Sequence, residues 1–255
     1  MQYISDIHLE FVKDRNRKLI VQEIVDSATS NVKYLAICGD LSTNPESSVT
    51  FMKELYNSGK YKDIFYISGN HEYYQNRYGR NIAWVDFKIR ELCKNLEHIH
   101  FLQRDYIEME EFIVVGCTLW TYPDDDMVNK MNDYKKIQLN SDNSRKRINV
   151  NTIREIYKQN IDYLEKTLNM LNMNKTKTII VLTHHGPSLT LGRIGEYTNS
   201  AYYSNCEHLL SLADYWIYGH DHESKMACIN NCIIVSNPRG YPREETGYTK
   251  GKYIL

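Results

Sequence analysis

Residues 215–222 read Tyr-Trp-Ile-Tyr-Gly-His-Asp-His. Four bulky apolar or aromatic residues suit a buried strand. Gly219 lets the backbone approach a neighbour closely, and His220 and His222, two apart, share a face if the chain stays extended. The same arrangement recurs four more times. Gln2–Ser5 runs into Asp6-Ile7-His8, Tyr34–Cys38 into Gly39-Asp40, Ile64–Ser68 into Gly69-Asn70-His71-Glu72, and Thr178–Thr183 into His184-His185-Gly186-Pro187. Six of the nine histidines stand at these strand ends. One G-H-x-H arises from such a composition at about one or two chances in a hundred and decides little. Five such ends in order are not the product of ordinary turns.

Working outward, Phe112–Cys117 and Cys232–Ser236 read as further strands. Helical spacing covers Arg17–Ser27, Val49–Ser58, Ile82–Leu96, Val150–Leu171 and Ser204–Leu212. Strands alternating with helices predict a largely parallel sheet covered on both faces, with ligands gathered at the carboxyl ends of its strands. The later strands follow one another with fewer helices, so the second half is expected to be partly antiparallel. A single domain over 1–255 is expected. Residues 124–146, with three adjacent aspartates and little periodicity, read as a surface loop or lid.

Lys and Arg number 31 against 32 Asp and Glu, a net charge of −1. That balance removes the broad basic footprint of a duplex-wrapping protein while leaving room for a local basic groove. No apolar run approaches the roughly 20 residues that span a bilayer. Asp6, His8 and Glu10 within the first ten residues are foreign to a signal peptide. A soluble, cytoplasmic protein with no membrane partner is expected. Cys38, Cys93, Cys117, Cys206, Cys228 and Cys232 are dispersed and never spaced C-x-x-C, which suits small buried hydrophobes rather than disulfides or a zinc ribbon.

Carboxylate, imidazole and amide donors together suit Mn, Fe or Zn better than Ca or Mg. Asp6, His8, Asp40, Asn70, His220, His222 and one of His184 and His185 are more ligands than one ion needs. Two ions about 3.5–4 Å apart, sharing one carboxylate, use them all. Such a pair clamps the attacking and leaving oxygens of a phosphoryl displacement and lowers the pKa of a bridging water.

The pattern D-x-H, G-D, G-N-H-[D/E], H and G-H-x-H, spread from Asp6 to His222, resembles the calcineurin-like metallophosphoesterases over essentially the whole chain. The resemblance implies a four-layer α/β/β/α sandwich with a dinuclear centre. One ion would take Asp6, His8 and His222, and the other Asn70, His220 and one of His184 and His185. Asp40 would bridge them. His71 would protonate the leaving oxygen or hold the transferring phosphoryl group. The segments SDIHLE, GCTLW, THHGPS and GHDHES, followed by SNPRGYP, are similar to a small bacterial-type subgroup. Protein phosphatases of the superfamily carry an Asp three residues after the bridging one; Thr43 stands here, leaving Glu72 to orient His71. No arginine clamp follows Asp40 or His71. Both departures argue against a phosphoprotein phosphatase. Thr183 before His184 favours that residue as the ligand, with His185 lining the pocket; the H-G-P run favours His185.

The remaining features have two readings each. Tyr73 and Tyr74 line the substrate mouth or pack on the sheet, as do Trp120 and Tyr122. Arg239 caps a substrate phosphate or braces its own turn. Asp124-Asp125-Asp126 and Arg145-Lys146-Arg147 read as solvated loop, and His98, His100 and His208 as structural. The expected activity is hydrolysis of a small phosphodiester or nucleotide-type phosphate ester by a hydroxide held between two divalent or trivalent ions. A nuclease, with single-stranded nucleic acid as its substrate, is the rival enzyme. A scaffold without chemistry is the rival of another class, and the full ligand set counts against it. Oligomeric state is not legible in the sequence.

Overall fold

Strands that are apolar at nearly every position need cover on both faces. A computed structural model, describing residues 1–74, 80–140, 146–192 and 199–254, provides it with two sheets. The first is parallel throughout, in the order β1 (Gln2–Ile4), β2 (Tyr34–Cys38), β3 (Asp63–Ile67), β4 (Ile99–Phe101). The second runs β5 (Asp105–Glu108), β6 (Phe112–Gly116), β7 (Thr178–Leu182), β8 (Tyr215–Tyr218), β10 (Cys232–Ser236), β9 (Met226–Ile229). Its four central strands are parallel, and the edges β5 and β9 are antiparallel. The mixed second half is thus as expected.

Side chains alternate between two cores within each strand. Ala36, Cys38, Phe65 and Ile67 meet Val114, Ile180, Leu182 and Ile217 between the sheets. Leu35, Ile37, Ile64 and Tyr66 face the other way, onto α1 (Asp14–Ser27), α2 (Pro45–Asn57) and α3 (Ile82–Cys93). Across the second sheet, Val115, Ile179, Val181 and Trp216 pack with Leu164, Leu168 and Leu209 of α5 (Val150–Asn172) and α7 (Glu207–Leu210). Single turns α4 (Asp133–Lys136) and α6 (Asn199–Tyr202) complete the set. Three cores separate four layers, α/β/β/α. Helix starts are marked chemically: Asn44, Asn81 and Asn149 each accept a backbone N–H three residues on, satisfying an otherwise orphaned donor.

Three strands escape sequence reading, β4, β5 and β9. They are short, and β5 and β9 lie at sheet edges, where little apolar alternation is needed. The helix expected over Ser204–Leu212 is confined to Glu207–Leu210. Residues 124–146 are more than a surface loop: they contain a 3-10 helix, Asp125–Asn129, and α4. Met127, Tyr134 and Ile137 anchor them in the helix-side core. Residues 141–145 of that stretch, Arg145 included, lie outside the described residues. All six cysteines are free, and all but Cys228 are buried. Among the described residues no helix is long and apolar enough to cross a membrane.

Candidate active site

The carboxyl ends of β1, β2, β3, β7 and β8 gather the expected residues. Extended chain is not what aims them. Asp6, His8, Asp40, His220 and His222 all take left-handed backbone, with φ between 50° and 73°, and make up five of the ten non-glycine residues with positive φ among those described. Each such residue folds the chain back at a strand end, so the side chains converge instead of sharing one pleat. Gly39 is required here. Its φ is +83°, and a β-carbon on it would lie 2.5 Å from Nδ1 of His184.

The donor atoms fall into adjoining groups. Asp6, His8 and His222 form one, with Oδ1 of Asp6 3.4 Å from Nε2 of His222 and the Nε2 atoms of His8 and His222 3.1 Å apart. Asp40, His184 and His220 form another. Asp40 faces both ways: Oδ1 lies 3.3 Å from Nε2 of His184, and Oδ2 lies 3.8 Å from Nε2 of His8 and 3.9 Å from Nε2 of His71. Oδ1 of Asn70 is 3.0 Å from Nε2 of His184. Nε2 of His220 is buried with no hydrogen-bond partner among the described residues, a costly position for a polar atom that nothing engages.

The doubled histidine divides cleanly. His184 turns Nδ1 to the Cys38 carbonyl (2.9 Å) and Nε2 to Asp40 and Asn70. His185 turns Nδ1 toward the Thr118 carbonyl and sets its ring 5.2 Å from Trp120 and 4.3 Å from His220. The electrostatics separate them too. Burial opposes the charged form of His184, but Asp40 and Asp6 outweigh it and lift the imidazole to about 10. Burial and the His184 charge push His185 down to about 3. His222, buried but beside Asp6 and Glu244, rises to about 9. Asp40 stays well below the carboxylate range despite burial because His184 and His71 stabilise its charge.

Above these groups opens a cavity of about 240 Å³, walled by Asp40, Asn70, His71, Tyr74, His220 and Tyr241 among others. Residues 3–224 match the calcineurin-like phosphoesterase family. The chain belongs to the calcineurin-like phosphoesterases. It is a hydrolase of phosphate esters. An uncharacterized protein of Acanthamoeba polyphaga mimivirus is 28% identical over 273 aligned positions, covering 100% of this chain and 95% of its own length. Among solved structures, phosphopantetheinyl hydrolase from Mycobacterium tuberculosis superposes with a TM-score of 0.69 at 14% identity, over 95% of this chain and 89% of that one. A putative 5'-nucleotidase from Staphylococcus aureus gives 0.51 at 16% identity, over 93% of this chain and 48% of that one. At such identities these two structures speak for the fold.

In this phosphoesterase the residues behind the site are ones that sequence reading missed. Glu72 does not orient His71. Its carboxylate accepts the backbone N–H groups of Asp40, Leu41, Ser42 and Gly69 and the Tyr66 hydroxyl, pinning the β2 and β3 loops together. Glu10 holds His71 instead, with Oε1 2.8 Å from Nδ1 and 3.2 Å from Nδ1 of His8. The Tyr241 hydroxyl lies 3.2 Å from Nε2 of His71. Asp133, from α4, receives the Asn70 amide N–H at 2.9 Å and the Tyr74 hydroxyl at 3.2 Å. With its NH₂ held there, Asn70 must aim its oxygen at the centre. Replacing Asp133 with alanine is therefore expected to weaken metal affinity about 10- to 100-fold, the usual effect of losing a hydrogen bond that aims a donor atom. Metal titration of the purified variant measures it.

Two expected substrate contacts are elsewhere. Tyr73 is fully buried; its hydroxyl donates to Asp86 at 2.8 Å and accepts from Gln103 at 2.9 Å, so it packs on the sheet, and Tyr74 alone reaches the cavity. Arg239 lies outside that cavity and pairs loosely with Glu23 at 3.8 Å. Trp120 is buried against Tyr73 and His185, and Tyr122 lies on the surface under Arg154. Each carboxylate of Asp124-Asp125-Asp126 has a partner, in Ser200, Arg154 and Lys130. His98 and His100 both face Asp63, and His208 faces Glu165.

The buried Tyr73 network has a pH signature. Burial lifts the Asp86 carboxyl to about 6, against the opposing hydrogen bond from Tyr73. A raised carboxyl pKa favours the fold while the group is protonated, and that contribution fades as pH climbs from the ordinary value toward 6. From pH 4 to pH 7 the group should remove about 2 kcal/mol of unfolding free energy. Denaturant melts of wild type and Asp86→Asn across that range check it; the variant should lack this slope.

Proposed function

We propose that this phosphoesterase cleaves a small phosphodiester or nucleotide-type ester at a centre of two transition ions, Mn, Fe or Zn. The observation that carries this reading is Asp40, whose two oxygens face two separate donor groups. Asp6, His8 and His222 would hold one ion, and Asn70, His184 and His220 the other, with Asp40 shared. The fit is chemical as well as spatial. The unpartnered Nε2 of His220 and the facing nitrogens of His8 and His222 are relieved by a cation, and mixed N and O donors suit these metals. When bound, such ions supply Lewis-acid charge and lower the pKa of water.

The chain's own residues do the rest. Nε2 of His71 sits beside the shared carboxylate and faces the cavity, placed to give a proton to the departing oxygen. Glu10 accepts the Nδ1–H and so fixes which ring nitrogen points at substrate. The cavity's roughly 240 Å³ suits a phosphoryl group and its nearest substituents, being smaller than pockets that enclose whole drug-sized ligands. Metal analysis and a Mn-supplemented panel of aryl phosphates, bis-aryl phosphates, cyclic nucleotides and short oligonucleotides test the proposal. We expect about two ions per chain and turnover of diesters. At most one ion in fully active protein would end the dinuclear reading, and oligonucleotides as the only substrates would make the enzyme a nuclease.

A further inference from the structure

Beside the cavity lies a larger groove, about 1030 Å³, between the start of α1 and the segment 239–250. Tyr241 and Glu244 line both spaces, so the groove continues the active site. Its far wall lies beyond the residues matched by the family, which end at 224. Phe11 is 52% exposed there, its ring nearly perpendicular to that of Tyr241 with centroids 5.4 Å apart.

The charges of the groove are unevenly satisfied. Glu23 faces Lys250 at 3.1 Å and Arg239 at 3.8 Å. Glu244 is engaged by His222 at 2.6 Å and by the Tyr241 N–H at 2.8 Å. Asp14, next to the groove at the start of α1 but outside its lining, is paired with Arg17. Lys13, Arg15 and Arg243 remain, lining the groove without an ion pair among the described residues, against one unpaired carboxylate, Glu245.

We propose that this groove is the subsite for the leaving portion of the substrate, and that this portion is a nucleotide bearing a second phosphate. The proposal rests on the phosphodiester reading above and deepens it. The three cations that line the groove without an ion pair among the described residues suit a phosphate dianion, and the exposed Phe11 ring suits stacking with a base. The leaving side is indicated by His71, whose Nε2 is bonded to Tyr241 at the boundary of the two spaces. A proton from that nitrogen reaches the oxygen that departs toward the groove.

The test compares three dinucleoside monophosphates, with a phosphate on the 3′ end, on the 5′ end, or on neither, alongside bis(p-nitrophenyl) phosphate. Mn-loaded wild type should turn over one phosphorylated form with kcat/KM at least about tenfold above the bare one, as two charge-assisted contacts allow. The triple variant Lys13→Ala, Arg15→Ala, Arg243→Ala should lose that preference and keep its rate on the bis-aryl ester. Calorimetric binding of adenosine 3′,5′-bisphosphate should weaken at least about tenfold in the same variant. Equal turnover of bare and phosphorylated forms, or a variant that retains preference and affinity, overturns the proposal. Failure of wild type on the bis-aryl ester counts against the diester reading itself, and the binding arm still decides the groove.

Discussion

Asp40→Asn is expected to strip most of the bound metal and so lower kcat/KM by about 10²–10³-fold, the scale of losing positive charge placed to stabilise the transition state. The substitution keeps the shape of the side chain. Its oxygen can still accept the His71 backbone N–H, which reaches Oδ1 of Asp40 at 2.8 Å. What it loses is the second oxygen, now an NH₂ directed at the Nε2 atoms of His8 and His71. A donor there cannot bind a cation, and the negative charge that His184 and His71 share disappears as well. Metal content and steady-state rate measured on one preparation settle the matter. Full occupancy together with full rate would remove Asp40 from its shared position.

The second large effect depends on the leaving group. Nitrophenolate departs unaided, whereas a sugar or alkyl alkoxide needs a proton, and general acid catalysis typically contributes about 10²–10⁴-fold. His71→Ala should thus cost little on a nitrophenyl ester and about that much on a nucleotide or alkyl ester. Glu10→Ala should show the same asymmetry in weaker form, because the ring remains but its Nδ1 anchor is lost. Glu10→Gln, whose amide oxygen still accepts the Nδ1–H, should recover most of the rate. Equal losses on both esters, with metal retained, would make His71 an electrostatic clamp on the phosphoryl oxygens. No loss on either would remove it from the mechanism.

The strand ends were legible because their chemistry is local. A strand, a glycine and a polar residue lie within a few positions, and β2, β8 and β10 begin and end where the apolar runs do. The supporting residues were not legible, because their partners are remote in the chain. Glu10 meets His71 across 61 residues, Asp133 meets Asn70 across 63, and Tyr241 meets His71 across 170. Glu10 stood in the quoted SDIHLE segment, but as a single charge it carried no sign of which ring it would hold. Asp133 lay in a stretch without periodicity. Its one signal was the spacing of Met127, Tyr134 and Ile137, three apolar residues that only a packed segment needs.

The left-handed residues at the centre carry a cost of their own. Backbone of that kind costs a residue with a β-carbon about 1–2 kcal/mol, and five such residues cluster where the donors converge. Glycine would adopt the same conformations at no steric cost. Glycine at these positions would relieve the strain, but it would leave nothing to grip a cation and would orphan the buried N–H groups of His71 and His220, which Asp40 and Asp6 accept. The aspartates and histidines found there carry that strain where donor atoms and backbone acceptors are needed together.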